Sequence, residues 1–165
     1  MDLNFKNKKG NAIVDGATIL VVIFVLAILG FVGYIVLFDV NADIQADDDI
    51  STEGKVAVQK VTTNYPDIMD KGFLFAFVLF WILLLVASYM VDSHPIFFVI
   101  ALILMIFVIY IGAELSNAFE EISEDDEFGT HADSFPITVW IMNHLVLEII
   151  GILFSIGIVL YGKLQ

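Results

Sequence analysis

Ala17–Phe38 reads ATILVVIFVLAILGFVGYIVLF, twenty-two residues without a single charge. An α-helix rises 1.5 Å per residue, so about 20 apolar residues cross the roughly 30 Å hydrocarbon core of a bilayer. The run is apolar on every side, whereas a helix on the surface of a soluble domain keeps one polar face. It sets the expectation of a membrane-spanning helix, and three further runs extend it. They are Phe73–Val91 (FLFAFVLFWILLLVASYMV), Ile96–Ala113 (IFFVIALILMIFVIYIGA) and Leu145–Tyr161 (LVLEIIGILFSIGIVLY), the last extended backwards by Ile137–His144.

The expected fold class is therefore all-α and integral to the membrane, with four transmembrane helices. The chain divides into a basic N-terminal segment (1–16), span one (17–38), an acidic loop (39–72), span two (73–91) and a turn (92–95). Span three (96–113), a second acidic loop (114–136), an interfacial start with span four (137–161) and a short C-terminus (162–165) follow. Composition agrees: the chain is 59% hydrophobic and 16% charged, against about 45–50% and about 25% in ordinary soluble domains. The N-terminal lysines Lys6, Lys8 and Lys9 ahead of an apolar run mimic a secretory signal. The run is longer than the roughly 7–15 residues of a signal core, so it reads as a retained span.

Between spans two and three stand only Asp92-Ser93-His94-Pro95. So short a link predicts a tight helical hairpin, with Asp92 or Ser93 as cap, Pro95 in the first turn and His94 at headgroup level. In the first acidic loop, Ser51-Thr52-Glu53 reads as a helix start. A short helix over 54–63 is predicted to end at Tyr65-Pro66. In the second, Phe119 and Ile122 share a helical side and predict an amphipathic extension of span three. Ser134-Phe135-Pro136 reads as a polar cap followed by proline at the start of the fourth helix.

Charge is distributed unevenly. Sixteen of the twenty acids fall in 39–70 and 114–133, against seven lysines and no arginine, for a net charge of −13. Acidic loops repel nucleic acid, and arginine's bidentate phosphate clamp is missing. No cysteine is present, which removes disulfides, thiolate metal sites and cysteine nucleophiles. Lysines before span one and after span four favour both termini on the cytoplasmic or equivalent side. An even number of spans then puts both acidic loops on the opposite side.

The acidic clusters Asp47, Asp48, Asp49 with Glu53, and Glu120, Glu121, Glu124, Asp125, Asp126, Glu127, lack the spacing and turn glycine of a calcium loop. They read as a solvated docking face, with weak divalent-cation binding as the lesser alternative. His144 and Glu148, four apart on one helix face, are an intramembrane polar pair. They could fix bundle packing by hydrogen bonds or provide a titrating site. One His and one Glu are too few for a metal. Ala27, Gly30 and Gly33, and the pair Gly151 and Ser155, are small residues that let helices approach closely. Asp15 and Glu114 stand at span boundaries. No nucleophile–base set, phosphate loop or dinucleotide fingerprint appears, so no catalytic residue or cofactor is assigned and an enzyme is not expected.

Two resemblances remain. Lys8-Lys9-Gly10 with Asp15 five residues after the glycine resembles a type IV prepilin leader. In that family a peptidase cuts after the glycine and an acidic residue at that offset aids assembly. Asn11 and Asp15 depart from the usual residues there, and a pilin must leave the bilayer as one helix. Three further spans place this reading last. Over most of its length the chain is similar to small multi-span membrane proteins of viruses, phages and archaeal viruses among them, with a membrane in or contacting the particle. The stretches are Lys9-Gly10, 47–51, Asp92-Ser93-His94-Pro95-Ile96-Phe97-Phe98, 135–143 and Leu160-Tyr161-Gly162-Lys163. That resemblance implies a structural virion membrane component in many copies, partnered by lipid, by copies of itself and by neighbouring membrane or capsid proteins. The alternative is a channel, genome-conduit or transport subunit, with Glu148 lining its pore.

Overall fold

A computed structural model describes residues 12–90 and 95–163; the side chains of residues 12–16, 95–102, 104, 126, 127, 160 and 163 lie outside that description. The elements are α1 (Ala12–Ala46), α2 (Thr52–Met90), α3 (Pro95–Glu124), α4 (Asp126–Ala132), α5 (Pro136–Asn143) and α6 (Leu145–Lys163). No strand occurs among the described residues. α1 and α2 are long and apolar enough to cross a membrane, and α5 with α6 makes a third candidate if that pair, bent by 72°, counts as one span.

The acidic loop expected over 39–72 is helix almost throughout. α1 runs eight residues past Phe38 and α2 starts at Thr52, leaving only 47–51 as a turn. Hydropathy marks where a helix stops being apolar, not where it stops being a helix. Asp39 and Asp43, four residues apart on the exposed side, end the apolar run without ending the hydrogen-bond ladder. The turn is closed by its own side chains. The Asp47 carboxylate accepts the Asp49 N–H at 2.9 Å, and Ser51 Oγ accepts the Gly54 N–H at 3.2 Å as an N-cap. Gln45 Nε2 donates to the Lys55 carbonyl while Lys55 Nζ donates to the Gln45 carbonyl, both at 2.9 Å. That reciprocal pair puts a cation on the negative end of α1 and fixes the register of the two helices.

The predicted stop at Tyr65-Pro66 is likewise not a stop. α2 passes through Pro66, which is buried, and continues to Met90. Proline removes one N–H, but tertiary packing of a 39-residue helix outweighs one lost bond. In the second acidic segment α3 extends to Glu124 and α4 follows after one residue, so this loop too is largely helical. Of the turn 92–95, Asp92, Ser93 and His94 lie outside the described residues, as do Lys6, Lys8, Lys9 and Gly10.

The four long helices pack in a ring, α1 on α2, α2 on α6, α6 on α3 and α3 on α1. α2 and α3, neighbours in sequence, occupy opposite corners. α1 and α2 run antiparallel, since Gly33 meets Tyr65, Gly30 meets Met69 and Gln45 meets Lys55. α4 and α5 close one end, where Phe31, Phe119, Phe135, Met142 and Leu145 form the most deeply buried core. Both acidic segments lie at this end: Phe31 contacts Phe119, and Tyr34 and Phe38 contact His131.

Two glycines hold close approaches. A Cβ at Gly33 would overlap the Tyr65 hydroxyl, and one at Gly112 would overlap Ile149 Cδ1. Gly33→Ala is expected to lower stability by about 1–2 kcal/mol, overpacking outweighing alanine's better helix propensity. Tyr65→Phe in the same chain removes the overlapping atom and should restore most of the loss. Denaturant unfolding in detergent, followed by circular dichroism, measures both; equal stability of wild type and Gly33→Ala would show that the helices do not touch there.

Candidate functional site

α5 is eight residues long, too short to hold its shape without help. Its first turn shows where the help comes from. Pro136 at the first position has no N–H to satisfy. The Ile137 N–H donates to Asp70 Oδ2 at 3.0 Å, and the Thr138 N–H donates to Asp70 Oδ1 at 2.7 Å. The Val139 N–H bonds to the Phe135 carbonyl at 3.0 Å, which completes the turn. Thr138 Oγ1 adds a third bond to Asp70 Oδ1 at 2.8 Å. A carboxylate from α2, 67 residues away in sequence from Ile137, thus takes the place of a local N-cap, and its charge faces the positive end of the helix dipole.

The cap expected at Ser134 is therefore not used. Phe135 occupies the N-cap position with no side-chain cap bond, and its ring stacks on Phe31 at 4.7 Å. The other end of α5 is held similarly. Ser116 Oγ on α3 donates to the Met142 carbonyl at 2.8 Å, inside the core. α5 is thus clamped between two long helices, one bond system at each end.

Beside the clamp lies an open cleft of about 580 Å³ between α1, α2 and the approach to α5. Tyr34, Phe38 and Asn41 line it from α1; Gln59, Thr62, Thr63, Pro66, Asp67 and Asp70 from α2; Ser134 and Pro136 from the connector. Both carboxylates are engaged. Asp70 accepts three donors, and Asp67 pairs with Lys71 at 2.7 Å. Thr62 and Thr63 donate back to the Val58 and Gln59 carbonyls. The cleft offers hydrogen bonds and ring faces; Asp70 is committed to the first turn of α5, and Asp67 stands exposed at the rim beside Lys71. Among the described residues no group of three or more His, Asp or Glu could hold a metal ion.

His144 sits at the break between α5 and α6, exposed and stacked on Trp140 at 4.9 Å, with Nδ1 2.8 Å from the Trp140 carbonyl. Glu148 is half-buried one turn into α6; its N–H donates to the His144 carbonyl at 3.1 Å, and among the described residues no side-chain hydrogen bond or ion pair joins the two. Ala27 is buried, Gly30 lies against Met69 and Gly33 against Tyr65. Gly151 has open space beyond its Cα, and Ser155 donates to the Gly151 carbonyl at 2.8 Å within the same helix. Asp47, Asp48 and Asp49 form the exposed α1–α2 turn; Glu120, Glu121, Glu124 and Asp125 lie along the end of α3, and Asp126 and Glu127 begin α4.

Asp70, Ser116, Thr138 and Gly112 are the residues that the sequence reading did not single out. One signal was present: a proline at a helix start preceded by phenylalanine leaves two N–H groups to be satisfied from elsewhere in the chain.

Asp70→Ala is expected to cost on the order of 3 kcal/mol, since it leaves one buried and one part-buried N–H group without partners. Asp70→Asn should cost less, about 1–2 kcal/mol, because an amide oxygen replaces one acceptor while its NH₂ faces a donor. Unfolding midpoints in detergent rank the variants; an Asp70→Ala protein as stable as wild type would show that α5 does not depend on this cap. No family model matches the chain, and no curated protein or solved structure matches it significantly.

Proposed function

We propose that this chain is a four-span integral membrane protein whose work is structural: it holds a stiff acidic head on one side of a bilayer for docking to a basic protein surface. The supporting pattern is the belt of exposed apolar side chains. It runs from Leu74 to Met90 on α2, over Ile103, Ile106, Phe107 and Tyr110 on α3, and from Leu147 to Tyr161 on α6. These lower halves sit level with one another. Gly112 meets Ile149 across α3 and α6, and Phe31 on α1 meets Phe119 on α3.

The observation that carries the reading is the continuation of α1 and α2 beyond this belt as one antiparallel pair. From the level of Phe73 to the turn at 47–51 is about 20 residues of helix, about 30 Å. The Gln45–Lys55 lock and the aromatic core around Phe31 and Tyr34 keep that lever rigid. Asp47, Asp48 and Asp49 form its tip, while Glu120, Glu121, Glu124 and Asp125 line its flank. A rigid surface of one sign orients an oppositely charged partner and sets association rate more than affinity. A virion membrane, with a protein shell close above it, is the setting that the viral resemblance favours.

The register of α1 against α2 bears on this assignment. Gly30 pairs with Met69 and Gly33 with Tyr65, so the second half of the first apolar run lies opposite the polar half of α2. Phe31 and Tyr34 are apolar because protein buries them. In this reading lipid covers the lower half of the run, and the upper half is the core of the head.

The chain has no cysteine, so single thiols report position without background. In oriented vesicles Asp48→Cys and Glu121→Cys should both react with a membrane-impermeant maleimide from the same side, and Gly162→Cys only after permeabilisation. Labelling of positions 48 and 121 from opposite sides would remove both the four-span topology and the single acidic head. For the docking role, neutralising 47–49 together with 120, 121 and 124 should weaken binding to an immobilised polylysine probe at least tenfold at low salt, and unchanged binding would refute it.

A further inference from the structure

The outer face of the α1–α2 pair, above the apolar belt, is not polar. Leu29, Val36 and Val40 stand four before, three after and seven after Gly33, and are 59%, 56% and 44% exposed. Val61 and Ile68 stand four before and three after Tyr65, and are 56% and 65% exposed. Because Gly33 touches Tyr65, these five side chains line both sides of one groove. Lipid does not account for them. Asp67 and Lys71 flank Ile68, are about two-thirds exposed and pair with each other, so that level is aqueous or in the headgroups. Val61 lies about 10 Å farther out along the helix.

We propose that a second copy of this chain covers the groove, related to the first by a two-fold axis along the membrane normal. This rests on the membrane reading above. Insertion holds all copies at one height, so lateral packing matches residues of equal height. The contacts Gly30–Met69, Gly33–Tyr65 and Gln45–Lys55 put Asp39 level with Lys60, Leu29 near Ile68, and Val36 and Val40 to either side of Val61. In a face-to-face pair with that symmetry α1 opposes α2 of the second copy. The apolar side chains then meet at matching heights, and Asp39 meets Lys60 of the second copy twice. Among the described residues neither Asp39 nor Lys60 has an ion-pair partner within its own chain. A basic partner helix would satisfy Asp39 but set a cation against Lys60, whereas a second copy answers both flanks.

The test mixes two differently tagged copies in vesicles, Asp39→Cys and Lys60→Cys, with a short thiol crosslinker. The mixture should give at least tenfold more crosslinked dimer than either copy alone. Asp39→Lys should shift the protein to monomer in nanodiscs, as read by mass, and Asp39→Lys with Lys60→Asp in one chain should restore the dimer. Both positions are exposed, and circular dichroism checks that the helices are retained. A mixture that does not crosslink, or a charge swap that stays monomeric, overturns the dimer. The single-thiol topology labelling reports separately whether the membrane reading stands.

Discussion

The end of this molecule is organised by one carboxylate. Asp70 is 4% exposed, and an unpaired charge so deep would be costly. It is tolerated because the first turn of α5 supplies two N–H groups, a hydroxyl and the positive end of a dipole. The dependence runs both ways, since α5 is too short to persist without an acceptor at its start. Everything around the pair follows from this exchange. Phe135 is free to enter the core, where it packs on Phe31 and Tyr34, with Phe119 against Phe31 in turn. α6 is released from α5 at a bend of 72° and can run back along α2 and α3.

The small residues and the aromatic cluster belong to the same arrangement. Gly33 brings α1 within reach of Tyr65, and Gly30 does the same at Met69. Those approaches set the height of Asp70 relative to the Phe31 layer. A bulkier interface would move the carboxylate away from Ile137 and Thr138. Close packing, capping and ring stacking are coupled here, and a change in one is transmitted to the others.

The all-helical character and the candidate spans α1 and α2 were readable because long apolar runs have few alternative explanations. The helix start beyond Ser51 was readable from its capping residue. What hydropathy could not show was continuity. The residues after Phe38 and before Phe73 change in polarity, not in conformation, so a reader of polarity places a loop where there are two helices. Pro66 strengthened that error, because a proline signals a break only when packing does not override it. Asp70 was hidden for another reason. At the edge of an acidic segment it looks like one more solvated charge, and only the fold brings Pro136, Ile137 and Thr138 to it. Ser116 and Gly112 lie within or beside an apolar run, where nothing local distinguishes a packing position from a lipid-facing one.

The Asp70 bonds join residues 67 and 68 positions apart, which gives assembly a schedule. At about 5–20 residues per second, synthesis delivers Thr138 several seconds after Asp70. Throughout that interval the carboxylate has no protein donor and must stay with water. Until then the first turn of α5 does not exist to cap, and α2 holds its carboxylate without it. The last third of the chain thus completes a helix that was made long before it.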